Sequence, residues 1–202
     1  MIDWFAKALN VEPPLVFGVR LVPMTLGHCF ALARIGSPYI TGTDEKPLDA
    51  MLSAFILCQN PQEGLRGLEK WWAKSYFYLW GWRCRKMNLG DERRRLHEFI
   101  QASLTPPDTL PMRREELREL GAPFHWRLLA MLMADFHMSM DDAMKVETGF
   151  ALCLWAVEGE RQGKINLPSA EQVEFRKRAD AALAEMQKEA DGNRQPAGQA
   201  RA

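Results

Sequence analysis

Trp71-Trp72-Ala73-Lys74-Ser75-Tyr76-Phe77-Tyr78-Leu79-Trp80-Gly81-Trp82 sets seven aromatic rings within twelve residues. Wound at about 100° per residue, the period of a helix, the rings point in nearly every direction, and only a sector around Lys74 and Gly81 lacks a large apolar group. A surface helix of a globular protein has one apolar stripe and one polar face. This segment is therefore expected to be buried on several sides, to lie in an oligomer or partner interface, or to rest on a membrane surface. The missing polar face weighs against the membrane, because an interfacial helix keeps one. The reading is a central helix with other helices packed around it.

The flanking sequence is helical almost throughout. Residues 2–10 form a short amphipathic segment stopped before Pro13-Pro14. Residues 15–24 are the one β-compatible run, with Val16, Val19 and Val22 suggesting an extended stretch or a short hairpin arm. Thr25 is a good N-cap for a helix over 26–35, ended by Gly36 and Pro38. Pro47 suits the first turn of a second helix to about Gln59. Asn60-Pro61 repeats the start signal for a third, expected to run from 62 through the aromatic block to about 87. Gly90 closes that connection, and Asp91 opens a fourth helix broken by Thr105-Pro106-Pro107. Residues 105–111 read as a hinge, 113–120 as a short charged helix, and 124–137 as a helix with Trp126, Leu129, Leu132, Met133 and Phe136 inside.

Ser139-Met140-Asp141-Asp142 reads as a capping box, followed by a short helix to Val146 and another over 149–162 that contains Trp155. Gly163 is a natural C′ residue. Ser169-Ala170-Glu171-Gln172 is a second box, opening a polar helix. The expected fold is all-α: a compact multi-helix single domain over 1–168 with a short extended N-terminal segment, a polar C-terminal helix over 169–190, and a disordered tail over 191–202.

A chain of 202 residues can bury roughly 70% of its unfolded-state surface without a metal or disulfide to help. Its 26 basic and 26 acidic side chains cancel, which argues against a whole surface dedicated to nucleic acid and leaves local patches open. Cys29, Cys58, Cys84 and Cys153 stand apart, without C-x-x-C or zinc-finger spacing. They read as packed thiols in a reducing cytosol. The N-terminus lacks a basic region followed by a long apolar run, so a signal peptide is not expected. No stretch reaches the ~20 apolar residues that span a bilayer.

Chemistry is hard to assemble. His28-Cys29 is the most tempting dyad, but neighbours on a helix point about 100° apart and no third group orients them. The plainer expectation is a His touching solvent or a backbone carbonyl. Asp135, His137, Asp141 and Asp142 straddle a helix end and a cap rather than sharing one face as metal ligands do. Glu147, Glu158 and Glu160 do not pair, and no phosphate-binding glycine motif occurs. The expectation is a non-enzymatic protein without cofactor or metal.

Arg83, Arg85 and Lys86 with Arg93-Arg94-Arg95, set against Asp91 and Glu92, give the connection after the aromatic block a local charge of +4. Aromatics beside cations are what a single-strand groove uses, so a nucleic-acid-binding accessory protein working through 71–95 is the alternative reading. Cations also complement a helix C-terminus and can cover indole faces.

Two further segments carry a resemblance. Leu21-Val22-Pro23-Met24-Thr25-Leu26-Gly27-His28, continuing to Arg34-Ile35-Gly36-Ser37-Pro38, is the first. Met140-Asp141-Asp142-Ala143-Met144, followed by Gly149-Phe150-Ala151-Leu152-Cys153-Leu154-Trp155-Ala156 and Glu160-Arg161-Gln162-Gly163, is the second. Together they resemble the tail assembly chaperones of tailed bacteriophages and prophages over about a quarter of the chain. The aromatic and basic block at 61–104 departs from the smaller members.

The resemblance implies a protein of the bacterial host cytoplasm that keeps a tape measure or tail tube component soluble during virion morphogenesis, with self-association open. Adaptable methionines suit a grip on helical partners, and Met131, Met133, Met138, Met140 and Met144 cluster here, although such residues also fill cores. The residues assigned to partner binding are Trp71, Trp72, Tyr76, Trp80, Trp82, Met133 and Trp155.

Overall fold

The computed structural model describes residues 11–43, 48–107, 122–167 and 169, with isolated positions up to 185. The expected helices over 2–10 and 113–120, and the tail over 191–202, lie outside the described residues. Of the polar C-terminal helix the reciprocal box at its start is described: Gln172 N–H donates to Ser169 Oγ, and Ser169 N–H to Gln172 Oε1.

The architecture is all-α. A two-residue strand β1 (Leu15–Val16) pairs antiparallel with β2 (Val19–Arg20). Nine helices follow among the described residues: α1 (Leu26–Arg34), α2 (Pro38–Thr41), α3 (Asp49–Leu57), α4 (Pro61–Glu69), α5 (Ala73–Cys84), α6 (Leu89–Leu104), α7 (Phe124–Ala134), α8 (Met140–Lys145) and α9 (Thr148–Arg161). Asn60 and Ser139 cap α4 and α8 through their side chains, and Gly163 at φ +67° turns the chain after α9.

Two apolar clusters share α1 as a common wall. The first gathers Val16, Phe17, Leu21, Leu32, Ala54, Ile56, Trp80, Leu96 and Ile100 from the hairpin and α1, α3, α5 and α6. The second gathers Leu26, Leu128, Leu132, Ala143, Ala151 and Leu152 from α1 and α7 to α9. Position decides which side of α1 serves which cluster: Leu26 and Phe30, four apart, face the second, while Cys29 and Leu32 face the first.

The expected single helix over 62–87 is two helices. α4 lies close on α3, with Gly64 and Gly67 so near Ile56 and Phe55 that a Cβ at either would stand 3.0 Å from those side chains. Lys70 then leaves helical geometry at φ −72°, ψ 143°. The chain turns through Trp71-Trp72 before α5 begins. This turn carries Trp80 and Cys84 back to the hairpin, which a straight continuation of α4 would not do. α6 also starts earlier than expected, with Asn88 accepting from Gly90 N–H, so Gly90 belongs to its first turn rather than to the connection. The four-residue α2 was not foreseen, and it begins where Pro38 sits at N1.

Candidate partner-binding surfaces

The aromatic helix is not central. Its buried positions are Ala73, Trp80 and Cys84, with Phe77 partly covered beside them, and these define one face. The opposite face is in solvent: Tyr78 is 73% exposed, Leu79 62% and Trp82 62%, against 7% for Trp80, and Trp71 in the preceding turn is 91% exposed. The near-even spread of aromatics around the helix hid this division, because rings in nearly every sector leave little direction to read. Tyr78 and Leu79, which were not among the expected binding residues, also belong to the exposed face.

The seven expected residues separate accordingly. Trp71 and Trp82 are exposed, and Met133 is also exposed on α7. Trp80 is core: its Nε1 donates to the Phe17 carbonyl at 2.8 Å, and its ring meets Phe17 edge-on. Tyr76 and Trp72 lie along the flank, stacked in a chain of tilted and edge contacts with Phe55, Phe77 and Trp80. The Lys70 ammonium stands over the Trp72 ring at 5.4 Å. Trp155 packs edge-on against Phe124 beside the second cluster. Of the five methionines, Met131, Met138 and Met144 pack on that cluster, whereas Met133 and Met140 are exposed.

The basic patch is smaller than its sequence suggests. Arg94 pairs with Asp91 and Glu98, Arg95 pairs with Glu92, and Arg93 is also engaged. Lys74, Arg83, Arg85 and Lys86, by contrast, have no described carboxylate within ion-pair distance. These four cations border the exposed rings of α5.

A groove of about 1110 Å³ opens elsewhere, between the α1 face and helices α4, α7 and α8. Phe30, Pro61, Leu65, Trp126, Met140 and Met144 supply its apolar lining, and Arg34, Asp141, Lys145 and Glu147 add charge of both signs. It is at the large end for a small-molecule site, which is commonly ~300–1,000 Å³. Gly27 lies in it, and a Cβ there would stand 3.0 Å from the Met144 carbonyl and 3.2 Å from Pro61 Cγ. No sequence signal pointed to this groove, because its walls are brought together from four separate helices.

His28 shows why the tempting dyad is structural. Its Nδ1 accepts from the Thr25 N–H at 3.0 Å, so its proton sits on Nε2, which donates to the Gln59 carbonyl at 2.9 Å. The ring therefore fills the N3 role of a capping box that Glu or Gln usually fills. Burial lowers its pKa, with the Gln59 contact opposing in part. Cys29 is 3.6 Å from the Thr148 hydroxyl and does not face the ring's nitrogens in any described hydrogen bond. Burial pushes its thiol up to about 11 and raises Cys58, Cys84 and Cys153 as well. None is a ready thiolate near neutral pH.

Asp142 is used as a cap, receiving the Ser139 hydroxyl at 2.6 Å while its own N–H donates back to Ser139 Oγ. Among the described residues no group of three or more His, Cys, Asp or Glu side chains could hold a metal ion. None of the described helices is long and apolar enough to cross a membrane.

The two segments that carry the resemblance meet in space. Thr25 and Glu147 form an isolated antiparallel bridge, Leu26 N–H donates to the Val146 carbonyl, and Thr148 N–H donates to the Met24 carbonyl. Comparison with protein-family models, with curated proteins and with solved structures finds no match.

Proposed function

We propose that this chain is a non-enzymatic morphogenesis protein of a tailed phage or prophage, acting in the host cytoplasm as a tail assembly chaperone that holds an apolar helical partner of the tape measure or tail tube class. One observation carries the reading. Helix α5 commits one face to the core and still offers Tyr78, Leu79 and Trp82 to water, with Trp71 exposed in the turn just before it. Covering one such ring is worth roughly 1.5–3 kcal/mol, and contiguous exposed apolar patches of this kind mark interaction sites. The meeting of residues 21–38 with 140–163 gives further support, since the segments that resemble the family form one structural unit.

The test is co-expression with the long helical gene product encoded beside a tail-tube gene, followed by affinity capture. Capture should persist at high salt, because apolar burial is not screened, and Tyr78→Ala with Trp82→Ala should weaken it about tenfold or more. Capture unaffected by those substitutions would overturn the reading.

The alternative is an accessory protein for single-stranded nucleic acid, favoured by the four cations beside exposed rings. Pairing of Arg94 and Arg95 within the chain leaves it fewer phosphate contacts than 71–95 suggested. Its mark would be nucleic-acid capture that falls steeply with salt.

A further inference from the structure

The exposed face of α5 has a pattern beyond being apolar. Ser75, Tyr78 and Trp82 follow one another at three- and four-residue intervals, with Leu79 beside them and the exposed Trp71 in the turn before the helix. This is the spacing of a helix–helix seam, and the small Ser75 leaves room for a partner backbone to approach. Lys74 and Arg85 border the seam on one side, Arg83 lies on the other, and Lys86 stands at its C-terminal end. Between Glu69 and Asp91 the chain carries Lys70, Lys74, Arg83, Arg85 and Lys86 and not one carboxylate.

These features restrict the occupant. A second copy docked on the same face would lay cations against cations, which costs energy in an isologous interface. A nucleic-acid strand needs cations along its path, yet the middle of the seam from Ser75 to Trp82 has none, and Leu79 offers no ring for a base. What fits is an occupant apolar in the middle and anionic at its ends. Lys74 and Arg83 are nine residues apart, about 14 Å along the helix axis.

We propose that this face binds an acidic amphipathic helix, one whose apolar stripe lies on Tyr78, Leu79 and Trp82 and whose Asp or Glu side chains flank the stripe and meet Lys74, Arg83, Arg85 and Lys86. The proposal rests on the partner-binding reading above and narrows it to a chemical class. The cations contribute selectivity and encounter rate, because a helix with Lys in the flanking positions is repelled. The rings contribute most of the affinity.

The experiment measures binding of three amphipathic peptides about five turns long to the full chain. Each has the same Leu stripe, with flanking positions all Glu, all Gln or all Lys. Phosphatidylglycerol vesicles and oligo-dT serve as the other anionic probes. The Glu peptide should bind about tenfold or more tightly than the Gln peptide, and the Lys peptide should not bind. A Lys74→Glu, Arg83→Glu, Arg85→Glu and Lys86→Glu variant, altered only at exposed positions, should reverse that order.

Equal binding of the Glu and Gln peptides, lost together in Trp82→Ser, would overturn the charge selection and leave the partner-binding reading standing. Binding of vesicles or oligo-dT with no binding of any peptide would overturn both. The wild-type order persisting in the charge-reversed variant would place the selectivity elsewhere and overturn the proposal.

Discussion

The indole Nε1 of Trp80 donates to the Phe17 carbonyl across 63 residues. That bond ties the aromatic helix to the tip of the hairpin, where Phe17 holds a φ of 51° and Gly18 one of 74°. Positive φ at both central positions suits the tight turn between two short strands, and a bulky non-glycine residue pays for it in strain. The Cys84 thiol reaches the same carbonyl, and the Phe17 N–H donates to Glu92 Oε2. Three contacts from α5 and α6 thus hold one strained residue.

Trp80→Phe should cost about 1–3 kcal/mol, because it leaves the buried Phe17 carbonyl with only the thiol. Trp82→Ala, two residues on, should stay within about 0.5 kcal/mol because its ring is mostly exposed. Chemical denaturation of both variants checks the pair. Equal losses would mean that Trp82 is also part of the core.

Glu92→Ala should cost about 1.5–3 kcal/mol, since its largely buried carboxylate accepts the Phe17 N–H and also pairs with Arg95. Glu98→Ala on the same helix removes only an exposed pair with Arg94, and should change stability by less than about 1 kcal/mol. The same unfolding measurement separates them.

Gly27→Ala and Gly81→Ala should move stability in opposite directions. At Gly27 the new methyl meets the Met144 carbonyl at 3.0 Å and Pro61, and overpacking of this kind costs about 1–3 kcal/mol. At Gly81 a Cβ meets nothing within 4 Å, so the helix-propensity gain of about 0.5–1 kcal/mol remains. Thermal melts of the two variants give the signs.

Acid should weaken the fold through His28. Its pKa is lowered in the folded chain from an ordinary 6.5, so the unfolded chain binds the proton more readily. The stability held by the neutral ring is complete above 6.5 and is lost as pH falls from there through the folded value. A proton on Nδ1 would also turn an acceptor into a donor facing the Thr25 N–H. The melting temperature should fall between neutral and mildly acidic pH, and fall less in His28→Gln. His125, lowered by burial alone, adds a contribution of the same sign.

Local start and stop signals were legible because they act within a few residues. Thr25, Asn60, Ser139 and Gly163 were each readable from the chemistry of their own side chain or backbone. The break at Lys70 was not, since it depends on α4 seating its glycines against Ile56 and Phe55. Nor was the sidedness of α5, where rings occupy nearly every helical sector and the position of the Phe17 carbonyl chooses which indole goes inside. His28 as a capping partner escaped notice for a related reason: the N3 position is searched for Glu or Gln. The Arg94-Arg95 pair looked like free charge because its carboxylate partners on α6 come within reach only once the helix is wound.

Cys29 and Thr148 meet across 119 residues, next to the bridge between Thr25 and Glu147. On the ribosome, α1 therefore emerges with partners for Leu32 nearby and with Leu26 and Phe30 facing water until α7 to α9 follow. At about 5–20 residues per second that interval lasts several to some tens of seconds. A nascent chain cut short between the two clusters would display a sticky α1 flank instead of a finished wall. Prematurely terminated products should then aggregate or be captured by the cell's own holdases, leaving full-length translation as the gate to a usable protein.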